Sequence, residues 1–113
     1  LGMHNFLQCI ELLKDNKTFS SYYISMYNVA CCCALTNEYN EAIRWLDNAC
    51  DNGYNDWVHT IVDTDFLRVR NDPRFAEVIK KMKTINPKRS KSYHDINGIL
   101  NPIDAYLQKH NIN

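Results

Sequence analysis

Apolar side chains recur along this chain at intervals of three and four, the spacing that lines them up on one side of an α-helix. Phe6, Cys9, Ile10 and Leu13 set the pattern and predict a helix over 3–14, closed by the polar run Asp15, Asn16 and Lys17. Thr18 offers an N-cap for a longer helix reaching residue 36. Tyr22, Met26, Val29, Ala30 and Cys33 share one of its faces, and Ile24, Tyr27, Cys31, Ala34 and Leu35 lie roughly opposite. Only Ser25 and Asn28 form a polar strip, so this helix is either central or presents a surface to something else.

A third helix, over 38–52, is ordinarily amphipathic, with Tyr39, Ala42, Ile43, Leu46, Ala49 and Cys50 on its apolar side. Gly53 follows where a left-handed residue ends a helix. Short helical turns are predicted over 56–61 and 65–69. Asp72 then caps a helix that Pro73 opens, and Phe75, Val78, Ile79 and Met82 give it a stripe. Beyond Thr84 the composition changes. Pro87, Lys88, Arg89, Ser90, Lys91 and Ser92 read as a linker to a last short helix opened by Asn101 and Pro102, with Ile99, Ile103, Tyr106 and Leu107 as its apolar residues. With three glycines and few alternating β-branched runs, the chain reads as all-α, built of antiparallel helix hairpins. Residues 1–84 form the helical domain, and 85–113 the basic linker and terminal helix.

Tyr27, Asn28, Val29, Ala30, Cys33, Asn37, Tyr39, Glu41, Ala42, Ile43, Leu46 and Ala49, taken together, resemble the 34-residue tetratricopeptide repeat. That repeat places small residues where Ala30, Ala42 and Ala49 stand, letting its two helices and the next one approach closely. The matching repeat spans about 23–56. It departs from the pattern at Cys33, usually larger, at Asn37, usually glycine, and at Tyr54, often proline. Asp72, Pro73, Arg74 and Phe75 resemble the D-P-x-F helix that often closes such an array, and residues 85–113 match no part of it. Because arrays normally need about three repeats, the resemblance implies that the flanking helices act as caps, that copies associate, or that the chain is part of a longer protein.

The same resemblance implies a role. Tetratricopeptide domains hold peptides or partner helices in a concave groove lined by the first helix of each repeat, which here comprises Ile24, Tyr27, Asn28, Cys31 and Leu35. The expected function is a non-catalytic adaptor for a protein or peptide partner, with self-association through this groove or the C-terminal helix as a further expectation. Asn28 matches one asparagine of the subclass that clamps chaperone tails. No base lies between Lys17 and Arg44, however, so the second helix has no cation for a terminal carboxylate, and that partner is not expected.

The chain has 113 residues, 45% of them hydrophobic and 13 aromatic, enough for one domain with a modest core. Its longest apolar run, Val29 to Leu35, is far shorter than the roughly 20 residues that cross a bilayer. There is no basic-then-apolar leader, and Leu1 and Gly2 ahead of Met3 read as a tag-cleavage remnant, so secretion is not expected. Five cysteines cannot all pair within one chain, and three are consecutive, which suits a reducing, cytoplasmic setting.

Candidate chemistry is sparse. Cys31, Cys32 and Cys33 point about 100° apart on a helix and cannot converge on one ion. No two Cys or His residues lie three or four apart, so no metal site, cofactor or catalytic residue is expected. Cys31 with His59 lacks a nucleophile motif, and Gly2, Gly53 and Gly98 build no phosphate loop. Trp45 reads as a packing aromatic.

The balanced charge conceals an asymmetry. Through Glu77 there are 11 acids and 6 bases, net −5; from Val78 on there are 2 acids and 7 bases, net +5. Lys80, Lys81, Lys83, Lys88, Arg89 and Lys91 form a basic patch without an intervening acid. It reads first as a solvated linker with helix C-terminal charges, and nucleic acid or membrane is not the expected partner. A basic-tailed module recruited to nucleic acid or anionic membrane, and an accessory assembly domain of a larger enzyme, are the alternative functions.

Overall fold

The computed structural model describes residues 21–87 and 102–112. The expected helix over 3–14, the cap Thr18 and the basic residues Lys88, Arg89 and Lys91 lie outside the described residues. Those described form α1 (Ser21–Leu35), α2 (Tyr39–Asp51), α3 (Trp57–Val62), a 3₁₀ turn (Thr64–Phe66), α4 (Pro73–Ile85) and α5 (Pro102–Lys109). No strand occurs among them, and the fold is all-α.

Local chemistry explains where the helices stop. After α1, the Glu38 amide donates to the Cys33 carbonyl at 2.8 Å and Asn37 takes φ 66°. After α2, the Tyr54 amide donates to the Ala49 carbonyl at 2.9 Å around Gly53, at φ 115°. After α5, Ile112 donates to Leu107 at 2.8 Å around Asn111, at φ 55°. All three are Schellman closures, in which a left-handed residue lets the chain satisfy the last carbonyls. Glycine and asparagine are the residues that tolerate this conformation. At Gly53 space matters too, because an added Cβ would sit 3.3 Å from the Tyr23 ring. At helix starts, the Asp56 carboxylate accepts from the His59 amide, and Asp72 accepts from Arg74 ahead of Pro73.

The α1–α2 hairpin is the most extensive pairing. Ala30, Ala42 and Ala49 are fully buried in the core, where methyl groups let helix backbones come close. Of the two apolar faces expected on α1, Met26, Tyr27, Val29, Ala30, Cys31, Cys33 and Ala34 are buried, whereas Ile24 and Leu35 are 46% and 60% exposed. The other side of α1 is closed by the 3₁₀ turn, which brings in Phe66, and α3 beside it adds Trp57 and Ile61 to the core. α4 adds Phe75, Ile79 and Met82. The Trp57 indole N–H donates to the Asn86 carbonyl at 2.6 Å and ties the start of α3 to the end of α4.

The terminal helix docks on the same core. Ile103, Tyr106, Leu107 and Ile112 are buried, the Tyr106 ring meets Phe75 edge-on at 6.0 Å, and α3 is the principal neighbour of α5. It therefore covers the α3 side of the molecule, not the exposed strip of α1. A row of rings runs from Tyr54 through Tyr27, Phe66 and Phe75 to Tyr106 and His110, at centroid spacings of 4.3, 5.4, 5.7, 6.0 and 4.3 Å. Such pairs add about 0.5–1.5 kcal/mol each beyond their burial.

Replacing a fully enclosed methyl by a larger group forces the α1–α2 pair apart. Ala30→Leu should lower stability by about 1–3 kcal/mol, measured as the shift in urea unfolding midpoint at constant slope. An unchanged midpoint would mean that Ala30 does not set the hairpin spacing.

Candidate functional site

The five expected groove positions do not share one surface. Ile24, Asn28 and Leu35 are exposed, while Tyr27 is 4% and Cys31 8% exposed. They recur at intervals that place them on one side of α1. The chain from Asp63 to Phe66 lies across the middle of that stripe and covers Tyr27 and Cys31, leaving the two ends open.

The covering segment is anchored on one carboxylate. Asp63 follows α3, and its Oδ1 accepts from the Asp65 amide at 3.0 Å, capping the 3₁₀ turn. Its Oδ2 accepts from the Tyr27 hydroxyl at 2.6 Å. The Cys31 Sγ lies 3.9 Å and the His59 Nε2 3.4 Å from that same oxygen. Arg70 completes the fixation by donating from Nη2 to the Asp63 carbonyl at 2.9 Å. Cys31, Asp63 and Asp65 each place one potential metal-ligand atom within 4.8 Å of the others.

Burial governs the titration of the groups around Asp63. It drives the Tyr27 hydroxyl far above its ordinary value of 10.0, reinforced by the hydrogen bond to Asp63. Burial likewise raises the Cys31 thiol from 9.0, and the negative carboxylates of Asp63 and Asp65 raise it further. Tyr54, stacked on Tyr27, is pushed up to about 12, chiefly by burial. A protonated, enclosed thiol is a poor nucleophile. The placement of His59 beyond Asp63 also differs from a thiol–imidazole pair, in which the base touches the sulfur directly.

Sequence reasoning weighed cysteine and histidine spacings and so passed over Asp63 and Asp65. Asp-x-Asp after a short helix signals only a capping turn, and nothing local connects it with a cysteine 32 positions earlier.

The described part of the expected basic patch is dispersed. Lys81 reaches Asp47 at 2.5 Å and Asp51 at 2.7 Å, and these hydrogen bonds hold its ammonium well above the usual lysine value. The Lys83 ammonium lies 5.5 Å above the Trp57 ring. Lys80 is exposed beside a shallow depression of about 760 Å³ between α2 and α4, floored by Ile43 and Val78. Most charges on its rim are paired, Arg44 with Glu41 and Arg74 with Asp72. At the far end of the aromatic row, Arg70 Nε, Tyr106 Oη and His110 Nε2 are buried and find no hydrogen-bond partner among the described residues.

No helix among the described residues is long and apolar enough to cross a membrane. Compared with models of protein families, with curated proteins and with solved structures, the chain matches none of them.

Two outcomes follow from the buried hydroxyl. Tyr27→Phe keeps the ring stack but removes the donor to a carboxylate, and should cost about 1.5–3 kcal/mol in denaturant unfolding. The pH dependence has a definite sign, because thiols and tyrosines whose folded values are raised keep their protons when the unfolded chain loses them. Stability is therefore fully present below the ordinary thiol and tyrosine values of 9.0 and 10.0 and falls as pH rises through them. Unfolding midpoints across that range should decline, and Tyr27→Phe should flatten the steeper, tyrosine part of the decline.

Proposed function

We propose that this protein is a non-catalytic adaptor that holds an amphipathic helix or peptide of another protein against the outer strip of α1. The carrying observation is the exposure of two large aliphatic side chains, Ile24 and Leu35, on the same side of a helix whose other apolar residues are buried or half-buried, with the Asn28 amide exposed between them. Aliphatic anchors supply affinity by desolvation and an amide fixes orientation by hydrogen bonding, which is how helical grooves take up partner segments.

The tetratricopeptide likeness supports this assignment through backbone detail. Asn37 stands where that repeat usually has glycine and takes the left-handed conformation, φ 66°, that glycine adopts most readily. Ala30, Ala42 and Ala49 occupy the pattern's small positions and are enclosed. The engagement of Lys81 and Lys83 inside the molecule favours this reading over recruitment by charge.

Covering each anchor removes only part of a side chain from water, so each is worth roughly 1–1.5 kcal/mol, about tenfold in affinity. A photo-crosslinking residue placed at Leu35 should capture a partner that the same residue at Lys80 does not. That partner, purified, should bind Ile24→Asp and Leu35→Asp at least about tenfold more weakly than the parent, while circular dichroism stays unchanged. Equal capture at both positions, or unchanged affinity in the folded double variant, would remove the assignment.

A further inference from the structure

We propose that Cys31, Asp63 and Asp65, with His59 as the fourth donor, form a zinc-binding site that clips the 3₁₀ turn onto α1. The donor set is mixed: a thiol from the middle of α1, an imidazole from α3, and two carboxylates from the turn. Three of these potential ligand atoms already lie within 4.8 Å of one another.

Two of the separations, both to Asp63, approach those around a tetrahedral ion, while His59 stands outside the cluster of the other three donors and turns inward to complete the set. Zinc binds sulfur at about 2.3 Å and nitrogen or oxygen at about 2.0–2.2 Å, which puts neighbouring ligand atoms about 3.3–3.6 Å apart. The His59 Nε2 to Asp63 Oδ2 separation is 3.4 Å, and the Cys31 Sγ to Asp63 Oδ2 separation is 3.9 Å. Moving Cys31 by a few tenths of an ångström completes that edge. Calcium and magnesium are disfavoured by the sulfur and by the small number of donors, since both require more oxygens, whereas thiolate and imidazole together select zinc.

The surroundings supply what a ligand carboxylate needs. The Tyr27 hydroxyl and the Asp65 amide hold the two oxygens of Asp63, the outer contacts that orient a metal-binding carboxylate. Among the described residues, the Asp63 carboxylate has the His59 imidazole within 3.4 Å, and Asp65 has no ion-pair partner. Two carboxylates beside a buried thiol therefore converge with no lysine or arginine of the described residues paired to them. A divalent cation converts that mutual repulsion into attraction. The His59 side chain is 55% exposed, which gives an ion a route from solvent. Binding replaces the Cys31 S–H bond with a sulfur–zinc bond and releases one proton to solvent, and no redox change occurs.

Cobalt(II), which reports zinc-type geometry by its spectrum, provides the test on the full, reduced chain. One equivalent should produce a thiolate-to-cobalt charge-transfer band and the intense visible bands of a tetrahedral ion, both erased by added zinc. Cys31→Ser should abolish the charge-transfer band, and Cys50→Ser should leave it intact. Asp65→Asn and His59→Gln, which alter more accessible positions and guard against a misfolded Cys31 variant, should each weaken binding by more than about tenfold. The proposal fails if millimolar cobalt yields no tetrahedral spectrum, if the band survives Cys31→Ser in a folded chain, or if Asp65→Asn and His59→Gln both bind as tightly as the parent. None of these outcomes depends on whether α1 holds a peptide.

Discussion

The hydrogen bond between Tyr27 and Asp63 is the join on which the rest of the structure depends. A lone helix hairpin leaves one side of α1 uncovered, and α1 is apolar on nearly every side. The turn from Asp63 to Phe66 closes that side by delivering Phe66 next to Tyr27, at a centroid distance of 5.4 Å. Neither polar partner can be buried alone, because an unpartnered hydroxyl or carboxylate in an apolar setting costs several kcal/mol. Together they satisfy each other at 2.6 Å. The same carboxylate caps its own turn, and Arg70 grips its carbonyl, so the direction in which the chain leaves α3 is fixed by one residue. Phe75 and Tyr106 then continue the row of rings that begins at Tyr27, and the docking of α4 and α5 is built on that row.

What was legible in the sequence was what depends on near neighbours. Asp72 with Pro73 marked the start of α4, Gly53 the end of α2, and the three alanines the place where helices nest, because capping, left-handed geometry and small size are properties of single residues. The left-handed roles of Asn37 and Asn111 were harder to see, since asparagine takes many loop conformations. Partners 32 to 36 positions apart were not legible at all. Periodicity placed Tyr27, Cys31 and Leu35 on one side of a helix but could not say that a short turn would lie over the first two and leave the third in water. That division depends on the length of α3 and on the bend after Val62, which the hydrophobic pattern does not encode.

Charge shows the same difference between chain order and space. Six cations in twelve residues read as a patch along the sequence. A helix sends successive side chains about 100° apart, so Lys80, Lys81 and Lys83 meet three different environments: solvent, the carboxylates of α2, and the face of Trp57. Lys81 comes from the basic half of the chain and Asp47 and Asp51 from the acidic half. Part of the opposed charge of the two halves is thereby spent inside the fold, on α4 packing against α2, and less of it remains to steer a distant partner.

The outer strip and the polar hub also constrain each other, because they are parts of one stripe. Residues 24, 28, 31 and 35 follow the intervals that keep side chains on one side of α1, and the turn covers only 31. Ile24 and Leu35 are eleven residues apart, about 16 Å along the axis at 1.5 Å per residue. They form two separate points with the Asp63 turn standing beside the span between them. A partner engaging both must bridge that distance, as three turns of helix or about five extended residues do. Its path is set by how closely the turn lies against Cys31. Whatever fastens Asp63 and Asp65 to α1 therefore shapes the surface a partner would meet, although neither carboxylate belongs to that surface.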